Sequence, residues 1–226
     1  ASRSAASLIY TSLLHMPPTE QFSKGDEVWA RLGASADFAA GRVAELTVDG
    51  VVVEVSATSE KHSLAKENVF RANPGAGDVS DLTALLALNE ATMLDALRQR
   101  YSSSSIYTFA AEMLTCLNPY APLPALYTEE ARQRAKAADV HDPRLEPHLY
   151  VLAERAFRRL RADGRSQSLV VSGESGAGKT EANKICMEYL VWRTEADAGD
   201  GGGGGGAAAG LTTRVLQANP VLEALG

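Results

Sequence analysis

The stretch SLVVSGESGAGKTEANK, residues 168–184, decides how this chain is read. An apolar run, Leu169-Val170-Val171, leads into a glycine-spaced loop, and the loop leads into Lys179-Thr180. Gly173, Gly178, Lys179 and Thr180 fit G-x-x-x-x-G-K-[ST], a phosphate-binding pattern. Each position has a physical task. Glycine backbones turn tightly and aim successive N–H groups inward, and these donors, with the helix N-terminus that follows, favour phosphate. Lys179 is placed to reach β- and γ-phosphate oxygens, and the Thr180 hydroxyl to ligate Mg²⁺. Gly176 adds backbone freedom within the loop. The pattern needs a strand before it and a helix after it. Residues 169–171 are a short buried-strand candidate. Ala182, Ile185, Cys186, Tyr189 and Leu190 recur at i, i+3, i+4, i+7 and i+8, one face of a helix, with Glu181, Lys184 and Glu188 pointing elsewhere. An ordinary glycine-rich turn between strand and helix is the plain alternative. The pattern alone implies a nucleoside triphosphate and Mg²⁺, and is silent on base, reaction and what is moved.

Upstream, Leu149, Leu152, Ala153, Ala156, Phe157 and Leu160 predict an amphipathic helix ended by Asp163-Gly164. Arg155, Arg158 and Arg159 lie on its other side and read as a solvated face rather than a basic docking surface. Residues 129–138 are a charged, helix-favouring stretch. IYTF (106–109) and MLTCL (113–117) are β candidates ended by Asn118-Pro119, because the residue before proline is pushed out of helical geometry. APLPALY (121–127) reads as an extended, proline-ruled loop. Asp81 is a plausible N-cap for a helix carrying Leu82, Leu85 and Leu86; a second helix runs through Met93, Leu94 and Leu97 and is broken by SSSS (102–105).

The first organised segment runs from about Gly25 to Phe70. DEVWARL, AAGRVAEL, VDGVVVEV and NVF are short strand candidates with turn signals between them, the pattern of a small β-barrel. Asp49-Gly50 is the kind of dipeptide that accepts the positive φ angles of a tight hairpin. Trp29 reads as barrel core rather than, with Tyr10, a peptide-binding surface. Residues 71–81 are a Pro/Gly-rich connector.

The chain has 226 residues, a formal net charge of −6 and 45% hydrophobic residues. That supports one large domain or two modest ones, and the negative balance argues against a nucleic-acid partner. Cys116 and Cys186 sit in apolar stretches and read as reduced core thiols of an intracellular protein. No apolar run approaches the roughly 18 residues of a membrane span. LIYTSLL (8–14) follows Arg3, but no small-residue cleavage site precedes Pro17-Pro18, so residues 1–20 read as an ill-defined leader. Residues 196–210, with the run Gly201–Gly206, read as a flexible loop, and helical character resumes at 211–217.

The spelling GESGAGKTE (173–181) resembles the phosphate-binding loop of myosin motor heads, and its neighbours agree in order. LNPYAPLPALY (117–127) resembles the adenine-side loop of that family. PHLYVLAERAFRRL (147–160) resembles the helix before the central strand. DLTALLALNEATMLDALRQRY (81–101) and IYTF resemble the segment between barrel and adenine loop, and VLQANPVLEALG (215–226) the segment ahead of the first nucleotide switch. The likeness covers about Gly25 to Gly226 and looks closest to the class V and class XI transport myosins. It implies an α/β P-loop NTPase, a partial motor head over residues 73–226, preceded by a small Src-homology-3-like β-barrel over 21–72. It implies ATP and Mg²⁺ as cofactors, actin filaments as partner of the whole protein, and a cytoplasmic, cytoskeleton-associated setting. Gly173, Glu174, Ser175, Gly176, Ala177, Gly178, Lys179 and Thr180 would hold the phosphates, Ser175 near the γ-phosphate and attacking water. Asn118, Pro119 and Tyr127 would flank the adenine.

There are departures from the family. Ala110-Ala111 stand where it commonly has a glycine-containing turn, Thr115 and Cys116 where apolar or small residues are usual, and Ala121-Pro122 where a basic or amide side chain is frequent. Residue 226 falls before the family's first switch. The resemblance therefore implies the ATP-binding part of an actin-based motor, with these residues alone not motor-competent. Two other readings stand beside it. One is a different P-loop NTPase, which would need an acidic Mg²⁺-binding strand end; Asp49 and Asp78 read as turn residues instead. The other is a non-enzymatic interaction module built on the barrel.

Overall fold

The computed structural model describes residues 21–33, 37–73, 75, 77–140, 142 and 144–199, with side chains through 197. Two compact units divide between Ser103 and Ser104.

The first unit is a five-stranded antiparallel sheet: β1 (Glu27–Arg31), β2 (Phe38–Leu46), β3 (Val51–Val55), β4 (Lys61–Leu64) and β5 (Val69–Arg71), in the order β4-β3-β2-β1-β5. Strand alternation explains its core. Val51, Val53 and Val55 are buried while Glu54 is exposed, and Val51 and Val53 pack with Phe22, Val28, Ala30, Val43 and Val69 in one core cluster. β4, spelled KHSL, carries no apolar alternation; it forms because β3 offers a ladder, Val51 opposite Leu64 and Val53 opposite His62.

Two readings of this unit change. Gly50 does sit in the β2–β3 connection, where the Thr47 N–H donates to its carbonyl at 3.1 Å, but neither Asp49 nor Gly50 has positive φ. Glycine is needed there for closeness: a Cβ would lie 2.2 Å from the Leu64 carbonyl oxygen. Trp29 is not core. Val28 and Ala30 are, at 1% and 0% exposure, so the period of 2 turns Trp29 to the other face. There it is half-buried and lines a cavity of about 300 Å³ with Gly41, Arg42, Asp95 and Gln99. Tyr10 lies outside the described residues.

Asp81 caps a single 3-10 turn, Leu82–Ala84, not a longer helix, and accepts from the Thr83 N–H at 2.9 Å. Leu82 and Leu85 are buried, but Leu86 is 97% exposed, because the backbone leaves helical geometry at Leu85. The helix proper, α1 (Glu90–Ser102), starts at Asn89, whose side chain and that of Thr92 form a reciprocal capping box, and it stops in the serine run. Asp78 is more than a turn residue: its carboxylate pairs with the buried Arg100 guanidinium.

The second unit has a two-stranded antiparallel ribbon, β6 (Tyr107–Ala110) and β7 (Met113–Cys116), and three helices, α2 (Glu129–Ala137), α3 (Leu149–Asp163) and α4 (Lys179–Gly199). Thr128 caps α2 by accepting from the Ala131 N–H at 3.2 Å. His148 caps α3 through Nδ1, which accepts from the Tyr150 N–H at 3.0 Å, and Gly164 ends it at φ 63°. The core gathers Ile106, Tyr107, Phe109, Leu149, Tyr150, Val151, Ala153, Ile185, Cys186 and Tyr189.

Arg155 and Arg158 of α3 are held rather than solvated, while Arg159 is exposed, as a solvated face requires. Arg155 donates to the Val140 carbonyl at 2.8 Å and lies over the Phe109 ring, Arg158 reaches Glu154 and the Lys136 carbonyl, and Arg159 reaches Glu112. Leu160, placed on the apolar side by its spacing, is 44% exposed near the helix end. Cys186 is buried, and burial pushes its thiol up to about 12, but Cys116 is exposed; both are free. Leu169-Val170-Val171 does not form a strand. Leu169 and Val171 pack on the core while Val170 is 88% exposed, the in–out alternation of a strand, but no described strand supplies its ladder. The parallel sheet expected of a P-loop α/β fold is accordingly not formed among the described residues. Helix α4 runs through Gly199, four residues into the segment read as a flexible loop. The rest of that segment, the 211–217 helix and the 215–226 motif lie outside the described residues. Among the described residues no helix is long and apolar enough to cross a membrane.

Candidate nucleotide site

The loop of residues 173–178 is exposed and runs straight into α4. Gly176 and Gly178 have φ of 78° and 93°, which is the left-handed region that other residues enter at a cost. Gly173 packs tightly: a Cβ there would meet the Ala177 Cβ at 3.1 Å. The Ala177 N–H closes a turn on the Glu174 carbonyl at 3.2 Å, and the Ala182 N–H makes the first helical bond to Gly178 at 3.0 Å. The N–H groups ahead of that bond belong to the open first turn of the helix.

Lys179 folds back over the loop. Its Nζ donates to the carbonyls of Gly173 and Glu174, both at 2.8 Å. The ammonium is thus held at the loop by acceptors that a phosphate oxygen, carrying full charge, outcompetes. The Ser175 and Thr180 hydroxyls have no hydrogen-bond partner among the described residues, and both residues are exposed. A loop with two glycines in the left-handed region, an ammonium on its rim and two free hydroxyls fits a Mg²⁺-bound polyphosphate. No group of three or more His, Cys, Asp or Glu is gathered as a metal site among the described residues. A magnesium ion here would rely on the Thr180 hydroxyl and phosphate oxygens, the mode Mg²⁺ favours with nucleotides.

The structure brings one distant residue to this loop. Asn118, 58 positions before Gly176, donates from Nδ2 to the Gly176 carbonyl at 2.9 Å. Its Oδ1 accepts from the Tyr120 N–H at 2.9 Å, which closes a turn around Pro119. Tyr127 belongs to an aromatic cluster instead. Its hydroxyl lies 2.7 Å from that of Tyr107, and its ring centroid is 5.7 Å from that of His148. Burial raises the pKa of both tyrosines, Tyr107 far more, so the pair stays protonated at neutral pH. Burial likewise depresses His148 to about 4. Sequence reading did not single out Tyr107 or His148, because a hydroxyl pair and a histidine cap leave no spacing signature. The Asn118–Gly176 bond was equally hidden: both residues stood out in the sequence, but nothing there joined them.

Residues 79–226 match the myosin head (motor domain) family. The chain is 38% identical over 193 residues to Myosin-6 of Arabidopsis thaliana, a match covering 80% of this chain. It is 35% identical over 202 residues to Myosin heavy chain 95F of Drosophila melanogaster, covering 88% of the chain, and 36% identical over 206 residues to unconventional myosin-VI of Homo sapiens, covering 89%. The chain belongs to the myosin head (motor domain) family. It spans 12–15% of the length of these relatives. Plant and myosin-VI relatives match at nearly equal identity, so these likenesses select no single myosin class.

Proposed function

We propose that residues 173–180 hold the phosphates of Mg-ATP, in the P-loop NTPase manner, as part of an actin-based motor. The observation that carries this reading is the Lys179 ammonium resting on the loop's own carbonyls, beside the left-handed Gly176 and Gly178 and the open start of α4. On phosphate binding, Lys179 turns from the Gly173 and Glu174 carbonyls to the β- and γ-phosphate oxygens. The backbone N–H groups of the loop and of the first turn of α4 take the remaining phosphate oxygens. Thr180 ligates the metal, and Ser175 orients toward the γ-phosphate. Bound Mg²⁺ supplies the charge that draws electrons from the phosphates. Pro119 and Tyr127 lie on the base side. Membership of the myosin family supports actin filaments as the partner of the whole protein, a cytoskeletal setting for it, and a Src-homology-3-like identity for the N-terminal sheet.

The test is calorimetric titration of Mg-ATP into the unaltered chain and into Lys179→Ala. Losing a charge-assisted contact to phosphate should weaken binding by about 10- to 100-fold. Equal affinity in the two would remove Lys179 from the site.

A further inference from the structure

Asn118 holds a place in the sequence from which it would be expected to touch the base. The structure gives it a different task. Its Nδ2 donates to Gly176 at 2.9 Å and its Oδ1 accepts from Tyr120 at 2.9 Å, so opposite ends of one planar amide are engaged within the chain. We infer that Asn118 is a positioning residue that locks the Gly176–Ala177 peptide of the phosphate loop, rather than a contact to adenine. This rests on the Mg-ATP reading above.

The Gly176 carbonyl and the Ala177 N–H belong to one planar unit and point in opposite directions. Holding the carbonyl toward Asn118 turns the N–H to the other side, where it closes the turn on the Glu174 carbonyl at 3.2 Å. Gly176, at φ 78°, lacks the side chain that would otherwise restrict that peptide, so rotation about it is inexpensive. The Gly176–Ala177 peptide is thus held from both sides, its carbonyl by Asn118 and its N–H by Glu174. Asn118 is itself well anchored. The Leu117 N–H donates to the Ile106 carbonyl at 2.9 Å at the end of the β6–β7 ribbon, and Pro119 restricts the backbone of Asn118 just before it. The restraint thus runs from ribbon to turn to phosphate loop without passing through a nucleotide.

The experiment compares the unaltered chain with Asn118→Ala and Asn118→Asp, titrating Mg-ATP and, separately, base-free inorganic Mg-tripolyphosphate. Asn118→Asp keeps an acceptor for Tyr120 and removes the donor to Gly176. Both variants should weaken both ligands by a similar factor, about tenfold, the size of one hydrogen bond. Without any ligand, both should also speed amide exchange at Ala177, read by NMR, by a similar factor. Loss of ATP affinity with tripolyphosphate binding intact would make Asn118 a base contact and overturn the inference while leaving the ATP reading in place. Unchanged Ala177 exchange would overturn it as well. An unaltered chain that binds neither ligand would overturn the ATP reading and this inference together.

Discussion

At the scale of single residues, the backbone sets two requirements that composition does not announce. Ala111, in the β6–β7 turn, has φ 55° and is exposed. An L-residue there costs about 1–2 kcal/mol, and glycine's greater freedom in the unfolded chain takes back about 0.5–1 kcal/mol. Ala111→Gly should therefore stabilise the unit by about 0.5–1 kcal/mol, measured as a raised urea midpoint; a lowered midpoint would show the turn is not strained. Gly50 is the opposite case. Its Cβ would lie 2.2 Å from a carbonyl oxygen that sits in the β3–β4 ladder and cannot retreat as a side-chain tip could. Gly50→Ala should lower stability by about 1–3 kcal/mol, read in the same titration. The Asp-Gly spelling marked the right turn for the wrong reason, since sequence reports that glycine is wanted, and only coordinates separate torsion from closeness. The departure at Ala110-Ala111 was visible in the spelling, and the left-handed Ala111 gives it a physical consequence.

At the scale of elements, helix α3 is fastened to α4 by one buried carboxylate. Glu154, with no exposed surface, accepts from Tyr189 Oη and Arg193 Nε, each at 3.0 Å, and from Arg158 Nε at 2.8 Å. A charge without solvent holds its place only while its partners do, so removing it leaves guanidinium groups poorly compensated. Glu154→Gln should cost about 3 kcal/mol, and Tyr189→Phe about 1 kcal/mol, in chemical unfolding. Equal stability of Glu154→Gln and the parent would mean the pairs contribute nothing net. Helical periodicity located both helices, because the 3.6-residue period of Leu149, Ala153 and Phe157, and of Ala182, Ile185 and Tyr189, is written locally. It could not see that Arg155 and Arg158 are held by a ring and by carbonyls, because those partners lie on other segments. The same limit governs Leu169-Val170-Val171: alternation is local, but a strand exists only with a ladder beside it.

At the scale of the whole molecule, His148 links pH to folding of the second unit. Its imidazole is held near 4 by burial, with Arg134 adding to the depression, and is faced by Tyr107, Tyr127 and Tyr150. In the unfolded chain it titrates near 6.5. Between these values the unfolded chain binds the proton and the folded one does not, so this contribution is complete above about 6.5 and falls away toward pH 4. His148→Asn, which retains an N-cap acceptor, should flatten the fall of Tm between pH 6.5 and 4 in thermal melts; an unchanged slope would exclude His148 as its source. The sequence by itself determined helices α1 to α4, most of the strands, the phosphate-loop spelling and the family, because period, turn chemistry and motif spacing are all written between near neighbours. Only the tertiary structure decided that Trp29 faces away from the sheet core, that Glu154 fastens two helices and that Asn118 reaches Gly176. Those facts depend on which side chains meet across tens of residues, and local pattern does not encode such meetings.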